Sequence, residues 1–156
     1  MASHALDLTL HDADQTARLA VTLGRALAAG DVVLLTGDVG AGKTHFARAL
    51  IQSLLTVPED VPSPTFTLVQ TYDALAAAIW HADLYRLTSV YEIEELGLTD
   101  AFSDAICLVE WPDRLGDLRP EDALDLTLTV TGDDTRRLSA TWNDDKWPEK
   151  LGAWRK

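Results

Sequence analysis

Apolar and polar positions change period several times along the chain, and each change predicts an element. Leu6-Asp7-Leu8-Thr9-Leu10 alternates with period two and reads as a short, half-buried strand. Asp12 with Gln15 then makes a capping-box-like helix start, and Ala17, Ala20, Leu23 and Leu27 follow at helical spacing up to Gly30. Asp31–Thr36 (DVVLLT) is a nearly continuous apolar run of the kind buried on both faces of a sheet. After a glycine-rich turn, Phe46, Ala47, Leu50, Ile51 and Leu54 mark an amphipathic helix.

Pro58, Pro62 and Pro64 predict an irregular connection. Phe66–Tyr72 alternates weakly, Ala77–His81 and Ile106–Val109 read as buried strands, and Ser89 with Glu92 opens a short helix that Gly97 closes. Leu124–Val130 and Arg137–Trp142 alternate on either side of Thr131-Gly132-Asp133-Asp134, a hairpin signal. The tail 146–156, with Trp147 and Trp154, predicts a short helix packed on the body. Strands alternating with helices, followed by a hairpin, give an α/β fold in three layers, with a mixed, largely parallel sheet and a C-terminal antiparallel hairpin.

With 156 residues, 47 % apolar and 24 % charged, the chain is expected to form a single domain, 1–156, with a core that needs no staples. Twenty-five acids against thirteen Lys and Arg leave a net charge of −12, a poor basis for gripping a phosphate backbone. Eleven of the acids fall between Glu92 and Asp125, against only Arg114 and Arg119, which reads as a solvated face or a docking surface for a protein partner. The lone Cys107, inside an apolar run, excludes a disulfide framework and reads as core. The chain opens without a signal-peptide pattern and holds no apolar run long enough to span a bilayer, so a cytoplasmic location and no membrane contact are expected.

Gly37-Asp38-Val39-Gly40-Ala41-Gly42-Lys43-Thr44 satisfies G-x-x-x-x-G-K-[ST], with a buried strand before it and a helix after. The glycines let backbone N–H groups curl around phosphate oxygens, and the helix adds its positive end. Lys43 is placed to reach the β- and γ-phosphates and Thr44 to bind Mg²⁺. The His45 backbone N–H, in the first turn, is also within reach of a phosphate.

Mg²⁺ usually takes a carboxylate as well. Asp83 and Glu110, each ending an apolar strand, are expected at one edge of the sheet near the cradle, one toward the metal and the other toward the attacking water. Thr65, on the link after the cradle helix, could offer a hydroxyl as in phosphate-sensing loops. His81 reads as a packing or hydrogen-bonding residue, and Trp111 as an anchor in a core or interface.

GDVGAGKT, SPTFTLV, HADLYRL, EELGL and ICLVEWP stand in this order across residues 37–112, and with them the sequence resembles the bacterial TsaE (YjeE) P-loop ATPases of tRNA threonylcarbamoyladenosine biosynthesis. The resemblance, over roughly residues 6–142, implies a compact P-loop fold and a weak Mg²⁺-dependent ATPase. It implies action on TsaD and TsaB, which carry out the threonylcarbamoyl transfer to the tRNA adenosine next to the anticodon, without tight direct binding to tRNA.

Carried over by residue, the resemblance gives Gly40, Ala41, Gly42, Lys43 and Thr44 to the triphosphate of ATP, Thr44 and Glu110 to Mg²⁺, and Asp83 to hydrolysis or metal positioning. It puts Trp111 on the adjacent functional surface, Thr65 in a switch-like segment, and Asp14 and Asp133 beside the adenine. His45 is a departure, standing where many relatives carry a second Thr.

Two other readings stay open on the residues alone. One is a small-molecule kinase, for which Arg136-Arg137, in the expected hairpin, would make a poor lid. The other is a module whose partner affinity is gated by nucleotide. The absence of an N-K-x-D pattern favours adenine over guanine.

Overall fold

The computed structural model describes residues 4–64 and 67–155. Seven strands form one sheet in the order β1-β7-β6-β2-β5-β4-β3. The central strands β6 (Leu124–Val130), β2 (Val32–Thr36), β5 (Ile106–Glu110) and β4 (Ala78–Asp83) are parallel to one another. The flanking strands β7 (Arg136–Thr141) and β3 (Val69–Asp73) run antiparallel to their neighbours, and β1 (Ala5–Leu10) pairs with β7. Five of the seven strands therefore point the same way. The expected mixed, largely parallel α/β sheet and the terminal hairpin are both present.

The near-continuous apolar strands split by parity between two cores. Val33, Leu35, Ile106 and Leu108 face a layer made by α1 (Ala13–Gly24) and α2 (Lys43–Leu54). Val32, Leu34, Cys107 and Val109 face the opposite layer, with α3 (Tyr91–Glu95) and α4 (Leu98–Asp104). This period-two division is what a strand covered on both sides requires. The tail does pack on the body. Trp147, in α5 (Lys146–Lys150), is fully buried and donates to the Asp122 carbonyl at 2.7 Å. Trp154 lies edge-on to Phe46 and donates to the Leu19 carbonyl at 3.1 Å.

One local expectation is corrected and two are extended. Helix α1 begins as read, with Asp12 accepting from Gln15 N at 2.7 Å and the Gln15 side chain accepting from His11 N at 2.8 Å. It ends at Gly24, however, not at Gly30. Ala26 and Leu27 bond back three residues instead, and the Asp31 carboxylate claims the Ala28 N–H at 2.8 Å, so the amides that would continue the helix are already committed. Glu92 takes the amide of Thr88 (3.1 Å) and its hydroxyl as well as the Ser89 amide, while Ser89 Oγ accepts from Tyr91 N, so Thr88 joins Ser89 in closing the helix start. Finally, Gly97 (φ 80°) ends α3 and also precedes α4, a seven-residue helix too short to show a period in the sequence.

Candidate functional site: a phosphate cradle with two strand-end acids

The cradle is built where β2 turns into α2. Gly37 is demanded by close approach, because a Cβ there would lie 2.6 Å from the Leu128 carbonyl oxygen of β6. Gly42 enters α2 in the left-handed region (φ 107°) and offers no side-chain cap, so no side chain closes off the first-turn amides of the helix. A cleft of about 530 Å³ opens here, lined among others by Gly40, Gly42, Lys43, Thr44, Asp83 and Glu110.

Lys43 is buried. Its ammonium donates to the carbonyl oxygens of Gly37 and, at 3.1 Å, Asp38, and lies 4.3 Å from the centroid of the Trp111 ring. Burial pushes it below its ordinary pKa, while the charges of Glu110, Asp83 and Asp38 pull the other way. Trp111 itself sits in the left-handed region (φ 58°), a costly conformation for a bulky residue, and its ring meets Tyr85 at 4.9 Å between centroids.

The two acids arrive by register. Asp83 and Glu110 are paired partners on β4 and β5, at the ends of parallel strands. Both are buried, and both line the cleft. The Thr44 hydroxyl lies 2.8 Å from Glu110 Oε1 and 3.1 Å from Oε2. His81 Nε2 lies 2.7 Å from Glu110 Oε2. Asp83 Oδ1 accepts from Tyr85 N at 3.0 Å, which fixes its side chain against the turn that follows β4.

A smaller hollow of about 240 Å³ adjoins the other side of the loop, bordered by Asp12, Ala13, Gly40, His45, Asp133 and Arg136. Asp133 thus stands beside the cradle. Asp14 is exposed in the first turn of α1, and it is the neighbouring Asp12 and Ala13 that line the hollow. The His45 side chain donates through Nε2 to the Ala13 carbonyl at 2.9 Å, tying the start of α1 to the cradle helix. Thr65 lies outside the described residues, while Ser63, two residues earlier, lines the larger cleft.

Three placements at the site were not given by the sequence reading, although His81 hydrogen-bonds and Arg136 forms no lid, as expected. Arg136 bonds carbonyls within its hairpin and reaches the Gly40 carbonyl at 3.3 Å, so it braces the loop rather than forming a lid. Arg86 lines the larger cleft and is exposed. The bond of His81 to Glu110 joins residues 29 positions apart, and no local pattern encodes that distance. Cys107 is core as expected, its thiol pushed up to about 12 by burial.

The oxygen donors of Thr44 and Glu110 suit a hard cation such as Mg²⁺, which takes one or two protein oxygens and completes its shell with water and phosphate. Among the described residues no helix is long and apolar enough to cross a membrane.

Comparison with known proteins gives consistent matches. The family described as "Threonylcarbamoyl adenosine biosynthesis protein TsaE" matches residues 10–138. The tRNA threonylcarbamoyladenosine biosynthesis protein TsaE of Rickettsia felis is 37 % identical over 139 residues, covering 89 % of this chain and 81 % of its own length. The protein of the same name from Rickettsia bellii is 38 % identical over 132 residues, covering 85 % and 92 %, and that of Bacillus subtilis is 37 % identical over 113 residues, covering 72 % and 70 %. Among solved structures, Bacillus subtilis YdiB superposes with a TM-score of 0.80 at 27 % identity, over 99 % of this chain and 97 % of that one.

Proposed function

Since this chain belongs to the TsaE family of threonylcarbamoyl adenosine biosynthesis proteins, we propose that it serves tRNA threonylcarbamoylation as an ATP-binding and ATP-hydrolysing subunit. The observation that carries the reading is the Thr44–Glu110 contact at 2.8 Å, beside a glycine loop that opens a helix. A hydroxyl and a carboxylate together at the start of such a helix support a site for the metal that accompanies a triphosphate.

In this reading the amides of Gly40, Ala41, Gly42, Thr44 and His45 hold phosphate oxygens, and Lys43 exchanges the carbonyls of Gly37 and Asp38 for the β- and γ-phosphates. Thr44 and Glu110 hold Mg²⁺, which when bound neutralises phosphate charge. Asp83, across the register from Glu110, accepts a hydrogen bond from the attacking water and draws its proton toward the carboxylate. Thr65 adds a hydroxyl from its loop. The hollow beside Asp133 takes the nucleoside, with Asp14 near its rim.

Hydrolysis would act on an assembly of TsaD and TsaB in the cytoplasm, resetting it rather than performing the transfer. The acidity of the chain supports this division. Glu94, Glu95, Asp100, Asp104, Asp113 and Asp117 are all exposed, a surface that repels tRNA and suits a basic protein face.

Phosphate release from ATP with Mg²⁺ and no acceptor tests the enzyme. Slow release that TsaD and TsaB modulate is expected. Release only after a metabolite is added would make the protein a kinase instead.

A further inference from the structure

His81 is fully buried in β4, two residues before Asp83 and therefore on the same face of the sheet, the face that carries Glu110. It does not border the cleft, whereas Glu110 does. Its Nε2 lies 2.7 Å from Glu110 Oε2, and its Nδ1 is buried with no hydrogen-bond partner. A carboxylate only accepts, so Nε2 carries the proton of this bond.

That arrangement is expensive as packing, because a buried polar atom without a partner is disfavoured and an aliphatic side chain would fill the space at no such cost. The ring instead completes a pair of restraints on the same carboxylate. The Thr44 hydroxyl contacts Glu110 from α2, and His81 holds Oε2 from the neighbouring strand. Two donors on two different elements fix the rotation of a carboxyl group that one donor would leave free to swing about its last torsion.

We infer that His81 is a positioning residue that locks the Glu110 carboxylate in the orientation needed to hold a divalent cation beside a nucleotide. The inference rests on the reading of Glu110 as the metal-side acid. It assigns His81 no contact with nucleotide or metal. Outer-shell partners of metal-holding carboxylates commonly change metal affinity by about 10- to 100-fold when lost.

The test uses Mn²⁺ as the probe, titrated by electron paramagnetic resonance in the presence of a non-hydrolysable ATP analogue. Nucleotide affinity in EDTA and thermal unfolding are measured alongside. His81→Leu and His81→Asn both remove the bond, the first without polarity and the second with an amide too short to reach. His81→Gln sets an amide N–H near the place of Nε2.

We expect His81→Leu and His81→Asn to lose about tenfold or more in Mn²⁺ affinity, with metal-free nucleotide affinity kept. His81→Gln should recover most of the loss. Should His81→Leu not fold, the comparison of Asn with Gln still decides. Equal Mn²⁺ affinity in those two, or wild-type affinity in either bond-breaking variant, overturns the inference. Glu110→Gln separates the two levels. If it loses Mn²⁺ while the His81 variants do not, only the role of His81 falls; if it retains Mn²⁺, the role of Glu110 falls and that of His81 with it.

Discussion

The Lys43 ammonium lies 4.3 Å from the centroid of the Trp111 ring while it donates to the carbonyl of Asp38. A lysine that turns to phosphate leaves both contacts. Lys43→Ala should therefore weaken ATP binding by roughly 10- to 100-fold, the worth of one charge-assisted hydrogen bond, as read by calorimetry. Tryptophan emission should also change when Mg²⁺-ATP is added, and Trp111→Phe should abolish most of that change even though four other tryptophans remain. An unchanged affinity in Lys43→Ala would refute the cradle.

Asp83 is buried at the strand end opposite Glu110, and its charge acts on Lys43. Asp83→Asn keeps the shape and the bond accepted from Tyr85 N while removing the charge. Phosphate release should fall about 100-fold, with nucleotide affinity nearly unaltered. Wild-type turnover in this variant would remove Asp83 from the hydrolytic step.

Asp31, at the foot of β2, ties down the tail by accepting from Lys150 Nζ (2.5 Å) and pairing with Lys146 Nζ (3.0 Å). Burial alone would raise its pKa, but the hydrogen bonds from Lys150, the Ala28 amide and Lys146 outweigh it and hold the carboxyl below its ordinary value of 3.8. A depressed folded-state pKa contributes stability that is complete above the ordinary value. That stability is lost as pH falls through 3.8 toward the lowered value. Asp31→Asn should cost roughly 2 kcal/mol near neutrality, less than a fully buried pair because both lysines can turn to water. Urea unfolding of the two proteins should converge as the buffer is acidified toward about pH 3. A gap that stays constant with pH would exclude the ion pairs as its source.

Gly37→Ala brings a methyl group within 2.6 Å of the Leu128 carbonyl, a contact with backbone that no rotamer relieves. Pushing β6 away from the loop should cost about 1–3 kcal/mol in denaturant unfolding and should lower ATP affinity along with it. A variant of native stability would show that the loop moves freely against β6.

The site was legible where chemistry and local pattern coincide. GDVGAGKT between an apolar run and an amphipathic helix locates the cradle, and the ends of two buried runs locate Asp83 and Glu110, because parallel strands of one sheet finish at a common edge. What escaped depends on distance in the chain. Arg136 meets Gly40 across 96 residues and His81 meets Glu110 across 29, and no period or motif carries either contact. The early end of α1 escaped for a different reason. Leu27 keeps the helical apolar spacing and is indeed buried, but the competition of the Asp31 carboxylate for the Ala28 amide outweighs that spacing.

The pairing of Asp83 with Glu110 on adjacent strands also bears on how the protein can be engineered. Their separation is set by the hydrogen-bond ladder between β4 and β5 and not by the chain that joins them, which wanders through α3 and α4 before returning. Insertions or deletions in the turn of residues 88–90, before α3, should leave the acids where they are, and grafts there could alter what the surface binds without retuning the chemistry. A single residue added inside either strand would instead turn one acid to the opposite face of the sheet.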